Sequence, residues 1–152
     1  KSVAKKDMGM LAIDYGHVYV AQIAFGSDPK QTVRAMQEAA AHKGPSIIIA
    51  YATCIAHGFD LTYTVEHMRS AVDSGYWPLY RYDPNLAKLG RNPMQLDSSE
   101  PSITFKDYAM SENRYRSLAR ANPEHADELM DLAQSDVLKR WKAVRRLAQG
   151  VE

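Results

Sequence analysis

The sequence predicts an α/β fold: an open, mostly parallel sheet flanked by helices, with a long C-terminal helix. Two runs carry the sheet, Val18–Gly26 (VYVAQIAFG) and Ser46–Ala52 (SIIIAYA), each apolar on both parities, as strands buried on both faces are. The stretch between them has helical spacing, so strand, helix and strand form a crossover unit, which is right-handed almost without exception. A third observation carries the helical end: from Pro123 to Gln149 apolar residues recur on one side without a break.

Taken in order, Lys5–Asp14 reads as a short helix, with Met8, Leu11 and Ala12 at helical spacing, Asp7 at its early end and Gly16 to stop it. After the first strand, Ser27 or Asp28 caps a helix in whose first turn Pro29 is tolerated, because an N–H there has no partner to lose. That helix runs to His42 and ends at Gly44-Pro45, with Val33, Met36 and Ala40 as its expected inner stripe and Lys30, Arg34, Gln37 and Lys43 facing outward. Ser46–Ala52, bounded by Gly-Pro before and a polar loop after, is expected to be the central strand. Tyr63–Asp73 is helical through Val65, Met68 and Val72 and stops at Ser74-Gly75. Trp77–Pro84 reads as a third strand, which Pro78 confines to an edge or to a strand start. Asn85–Pro101 is rich in turn formers and is expected to be mostly irregular. Beyond Ile103, a short helix around Phe105–Met110 or Glu112–Arg120 precedes the long one. The long helix turns Leu129, Leu132, Ala133, Val137, Trp141, Val144 and Leu147 to one side and Asp127, Asp131, Lys139, Lys142 and Arg145 to the other.

The totals bound the function. At 152 residues the chain is the size of one domain, and its net charge of +1 gives no broad footprint for nucleic acid or anionic lipid. Its longest apolar run, around Ile47–Ala52, falls far short of the roughly 20 residues that span a bilayer. The first residues, KSVAKKDMG, lack the apolar stretch of a signal peptide. The expectation is a cytoplasmic protein with no membrane and no nucleic-acid partner. A single cysteine excludes an internal disulfide and any self-contained cysteine metal site, since such sites take several thiolates from the protein.

Chemistry is expected beyond the Ser46–Ala52 strand, because open α/β sheets bind ligands outside the carboxyl ends of their strands. Cys54 and His57 lie there. Read from the residues alone, Cys54 is either a buried small hydrophobe or a thiolate ligand or nucleophile, and His57 either a capping residue or a functional one. A nucleophile–base pair of the two lacks a third orienting group. The other histidines carry less: His17 precedes a strand, His42 sits near a helix C-terminus, and His67 and His125 fall on expected solvated helical positions. No HExxH, GxGxxG, phosphate loop or paired-cysteine motif is present. Tyr76, Trp77, Tyr80 and Tyr82 are read as packing residues, and Lys139 to Arg146 as the wet face of a helix.

The blocks KKDMGMLAIDYGHVYVAQIAFG, GPSIIIAYATCIAHG, VDSGYWPLYRYDP and RNPMQLDSSEP, in that order, resemble consecutive blocks near the end of the pyruvate:ferredoxin (flavodoxin) oxidoreductases. They lie within Lys5–Pro101, and SDVLKRWKAVRRLAQ is similar to the usual end of the shorter members. The resemblance implies that residues 1–101 are the later part of a thiamin diphosphate-binding α/β domain and residues 102–152 a helical extension. It implies an enzyme that oxidatively decarboxylates pyruvate, transfers the acetyl group to coenzyme A and passes electrons singly through iron–sulfur clusters to ferredoxin or flavodoxin.

The cysteine of the matching block is, in that family, the fourth ligand of the four-iron, four-sulfur cluster nearest the thiamin; here it falls on Cys54. The family's magnesium and diphosphate signature and its other three cluster cysteines belong upstream of Lys1, so no catalytic residue and no thiamin-binding residue carries over. The expected partners are the remaining domains of the same polypeptide. The isolated segment is expected to be inactive, to hold no cofactor by itself and to form a homo-oligomer through apolar surface left open. The alternative is a docking or assembly subunit of a split 2-oxoacid oxidoreductase, without catalysis of its own.

Overall fold

The computed structural model describes residues 6–150. The elements are α1 (Met8–Ile13), β1 (Tyr19–Ile23), α2 (Pro29–Ala41), β2 (Ser46–Ala50), α3 (Thr64–Asp73), β3 (Tyr80–Tyr82), α4 (Pro84–Lys88), β4 (Met94–Leu96), α5 (Phe105–Ala109), α6 (Asn113–Ala121) and α7 (Pro123–Gln149), with single 3₁₀ turns at Ile55–His57 and Leu61–Tyr63. Lys5, at the expected start of the first helix, lies outside the described residues. No described helix is long and apolar enough to cross a membrane.

The four strands form one open sheet in the order β2-β1-β3-β4. It is an α/β sheet as expected, but it is mixed: β1 and β2 pair in parallel, whereas β1–β3 and β3–β4 are antiparallel. The reason is where the chain re-enters. Trp77, just before β3, donates its indole N–H to the carbonyl of Ile23 at the carboxyl end of β1 (2.9 Å), and Tyr80 pairs with Gln22 while Tyr82 pairs with Val20. The ten-residue α3 thus returns the chain to the end of the sheet it left, and β3 runs back down. Pro78 sits at that start, where its carbonyl accepts from Gln22 Nε2 at 2.8 Å.

The central strand is β1, buried at every position, not the Ser46–Ala52 run. β2 is an edge strand with no further strand on its outer side among the described residues, and Ser46, Ile47 and Ala50 are exposed. Asn85–Pro101, expected to be irregular, supplies both α4 and β4. Asp83 caps α4 by accepting from Asn85 N (2.9 Å) with Pro84 in the first turn, a start signal read instead as the end of the third strand.

The face that α2 turns to the sheet is also not the expected one. Gln31, Thr32 and Ala35 are buried, while Val33 (52%) and Met36 (49%) are exposed. A buried arginine on β3 explains the choice. Arg81 grips Asp97 through Nε and Nη2, both at 2.8 Å, and Glu38 of α2 through Nη1 at 2.5 Å. Glu38 also accepts from Tyr19 OH (2.9 Å), and Gln31 Nε2 reaches Asp97 Oδ2 at 3.1 Å. Charged and amide groups of α2 are therefore drawn inward to satisfy a buried guanidinium, and the apolar stripe turns outward.

α7 spans the expected Pro123–Gln149, with Asn122 accepting from His125 N at its start and Gly150 in the left-handed region at its end. Its buried face is Ala126, Met130, Val137, Trp141 and Val144, whereas Leu132 and Leu147 point outward. Val144 packs with Ala12, Val18, Val20, Tyr80 and Met94, so the long helix closes one side of the sheet core. Where one short helix is expected before it, around Phe105–Met110 or Glu112–Arg120, the structure has two, α5 and α6.

Candidate functional site

Cys54 is exposed, beyond β2 and immediately ahead of the Ile55–His57 turn. Its backbone is extended (φ −138°, ψ 133°) and its carbonyl accepts from His57 N at 3.0 Å. The turn closes at Gly58, whose φ of +73° suits glycine, and whose Cβ, were there one, would lie 2.6 Å from Cβ of Asn113. That close approach lets Asn113 N donate to Gly58 O at 3.0 Å and pins the loop to the start of α6.

Beneath the loop is a buried polar network that the sequence reading did not identify. Glu112, at the junction of α5 and α6, is completely buried. It occupies the N-cap position of α6 but makes no side-chain cap; the carboxylate turns inward instead. Its Oε1 accepts from His67 Nε2 (3.0 Å) and Tyr108 OH (3.2 Å) and lies 3.5 Å from His57 Nδ1, while Oε2 pairs with Arg114 Nε. Tyr51 OH donates in turn to Tyr108 OH at 2.6 Å.

His67 is the clearest correction: expected on a solvated face, it is 4% exposed. Its ring stacks on Phe59 (4.2 Å between centroids) and lies 3.2 Å from Ser111 Oγ. Burial holds its pKa below the ordinary imidazole value, against the opposing pull of Glu112. The neutral ring must then carry its proton on Nε2, because a carboxylate only accepts. Burial likewise pushes the Tyr51 hydroxyl up to about 12 and Tyr108 higher still, so both remain proton donors in the chain of bonds to Glu112. A sequence signal did exist for Glu112: an acidic residue at the start of an expected helix, Glu112–Arg120, which reads equally well as an ordinary helix terminus.

The other expected positions separate cleanly. His125 stays exposed on α7, 3.8 Å from Glu128, and His42 ends α2, with its ring facing His17 O and Asn85. Among the described residues no three His, Cys, Asp or Glu side chains converge as a metal site. A shallow hollow of about 690 Å³ between β4 and α7, lined by Arg91, Asn92, Trp141 and Arg145 among others, shares no residue with the Glu112 network.

The donor set fits an iron–sulfur cluster in one respect: Cys54 offers a single soft donor, exposed, on a loop fixed from below. Any further ligands would have to come from polypeptide outside the described residues. Around it the surface is apolar, with Ile55 (73% exposed), Leu61, Tyr63 and Val65 all outward in the stretch that follows Cys54.

No family model matches the sequence. Individual relatives do. The chain is 46% identical over 150 residues to the pyruvate:ferredoxin oxidoreductase of Moorella thermoacetica, covering 99% of this chain and 13% of that protein. It is 48% identical over 148 residues to the pyruvate-flavodoxin oxidoreductase of Trichormus variabilis, covering 97% of this chain and 12% of the relative. With the probable pyruvate-flavodoxin oxidoreductase of Escherichia coli the identity is 44% over 152 residues, all of this chain and 13% of the other. The chain thus spans only 12–13% of the length of these curated relatives, but the match is continuous along practically all of its own length. This chain is therefore homologous to one segment of the pyruvate:ferredoxin and pyruvate-flavodoxin oxidoreductases.

Proposed function

We propose that the chain is a segment of a cytoplasmic oxidoreductase that decarboxylates pyruvate, hands the acetyl group to coenzyme A and reduces ferredoxin or flavodoxin. Residues 1–101 form the later part of its thiamin diphosphate-binding domain and residues 102–152 a helical extension. In this reading Cys54 is one thiolate ligand of a four-iron, four-sulfur cluster, and the remaining ligands, the thiamin diphosphate with its Mg²⁺ and the substrate contacts come from other parts of the polypeptide. The chain alone is inactive.

The observation that carries the reading is the continuous similarity to oxidoreductases along the chain, at 44–48% identity. The placement of Cys54 supports the ligand role. A thiol serving only as a small hydrophobe would be expected inside, whereas this one is on the surface, makes no side-chain cap to the turn that follows it and is followed in the chain by exposed apolar side chains. When bound, the cluster relays electrons one at a time toward the acceptor protein. This chain's residues do three things: Cys54 holds one corner, the loop from Thr53 to Gly58 fixes where that corner lies, and the apolar rim excludes water once covered.

The test is Cys54→Ala in the intact oxidoreductase, prepared anaerobically. The expected result is loss of one cluster's worth of iron and acid-labile sulfide, loss of its paramagnetic signal, and loss of pyruvate-dependent acceptor reduction. Iron content and activity equal to the unsubstituted enzyme would overturn the ligand assignment.

A further inference from the structure

Both ends of the loop bearing Cys54 lie close to a single buried oxygen, one end linked to it by hydrogen bonds and the other in contact without one. Tyr51 stands three residues before Cys54 and reaches Glu112 Oε1 through Tyr108, by bonds of 2.6 and 3.2 Å. His57 stands three residues after it, and its Nδ1 lies 3.5 Å from the same Oε1. The exit from the loop is held as well: Asn113 N donates to Gly58 O, and Phe59 stacks on His67, whose Nε2 also donates to Glu112 Oε1.

A wholly buried carboxylate is costly, because its hydration is lost and only well-placed donors replace it. Serving α6 as a cap does not account for it, since Glu112 makes no side-chain cap bond. Packing does not account for it either; an apolar side chain of that size would fill the space without a charge to satisfy. What only an acceptor can do here is draw donors from α3 and α5 onto one point, with Tyr51 linked to it through Tyr108 and His57 Nδ1 3.5 Å away. Arg114 supplies the balancing charge on the other oxygen.

We propose that Glu112 is a positioning residue for Cys54, clamping Tyr51 and His57 so that the sulfur between them is presented at a fixed place. The proposal rests on Cys54 being a cluster ligand. It assigns the buried acid to the geometry of electron transfer as well as to the stability of the fold, and it makes Tyr51 the more distant member of the same clamp.

The experiment uses Tyr51→Phe, which removes one hydroxyl and leaves the buried acid matched, together with Glu112→Ala and its conservative counterpart Glu112→Gln. In this chain, amide hydrogen exchange at residues 53–58 is expected to quicken about tenfold in Glu112→Ala, the factor set by losing a hydrogen bond to a charged group. Tyr51→Phe should do so more weakly, Glu112→Gln should restore most of the protection, and β1 and the middle of α7 should exchange as before. In the intact oxidoreductase, the paramagnetic spectrum and midpoint potential of the Cys54-dependent cluster are expected to shift in Tyr51→Phe and Glu112→Gln while iron content stays at the unsubstituted level. A spectrum and potential unchanged in both variants would overturn the proposal, whether or not loop exchange had quickened. Full iron content in Cys54→Ala would instead overturn the ligand reading on which it rests, so the two failures are distinguishable.

Discussion

His67 shows how much one residue's surroundings decide. On the sequence it is one of several histidines on helices; in the fold it faces Glu112, Ser111, Arg114 and His57, with Phe59, Tyr51 and Tyr108 around its ring. Burial, the largest influence, holds its folded pKa below the ordinary 6.5, and the bond to Glu112 opposes this. The unfolded chain therefore takes up this proton first. Between pH 6.5 and the lower folded value, stability rises with pH at up to about 1.4 kcal/mol per pH unit; above 6.5 this group adds no further dependence. Urea denaturation across the range from about pH 5 to pH 8 should show that slope, and His67→Gln should flatten it. A fall in stability as pH rises above 6.5, lost in His67→Gln, would mean instead that the ring is held charged by Glu112.

At the scale of elements, local signals were legible and partner choice was not. Pro29, Gly44-Pro45 and the Asn122-Pro123 pair marked boundaries through backbone chemistry that belongs to the residue itself, and the structure starts or stops close to each. The apolar run at Ser46–Ala52 announced a strand, but its richness in isoleucine said nothing about which strand would lie beside it, and it became an edge. The facing of α2 failed for a related reason. Helical periodicity finds an apolar stripe, yet Arg81, some forty residues further on, decides that Glu38 and Gln31 face the sheet. The Cys54 position was legible by its place after a strand; the Glu112 network was not, because Tyr51, His57 and His67 join the local Tyr108–Glu112–Arg114 group only through tertiary contacts. The outward stripe leads to a prediction. Replacing Val33 and Met36 by serine should change the unfolding free energy of the monomeric chain, measured at concentrations too low for self-association, by no more than about 0.5 kcal/mol each, as substitutions at exposed positions do, whereas inward-facing residues would cost several times that in the same denaturation experiment.

For the molecule as a whole, the open surface is the common theme. α2 turns Val33 and Met36 outward, α1 turns Met8 and Leu11 outward, β2 lacks an outer partner, and Ile55 to Val65 border Cys54 with apolar groups. Such surface ordinarily meets other protein, and in the proposed oxidoreductase the rest of the polypeptide covers it. Isolated, the chain should cover it with copies of itself: size-exclusion with light scattering is expected to give a dimer or larger species, with serine at Val33 and Met36 moving the distribution toward monomer. A monomer at every concentration would contradict this. The carboxylate of Glu112 also sets a sequence of events in biosynthesis. The Tyr51–Tyr108 bond in its network and its own bond to His67 cross 57 and 45 residues of chain, and its counter-charge on Arg114 comes later still. A ribosome that has just released Cys54 has therefore made a thiol with no settled address, and the residue acquires one only after translation has passed Arg114; under the proposed cluster-ligand role, delivery of iron and sulfide to it would follow synthesis of this region.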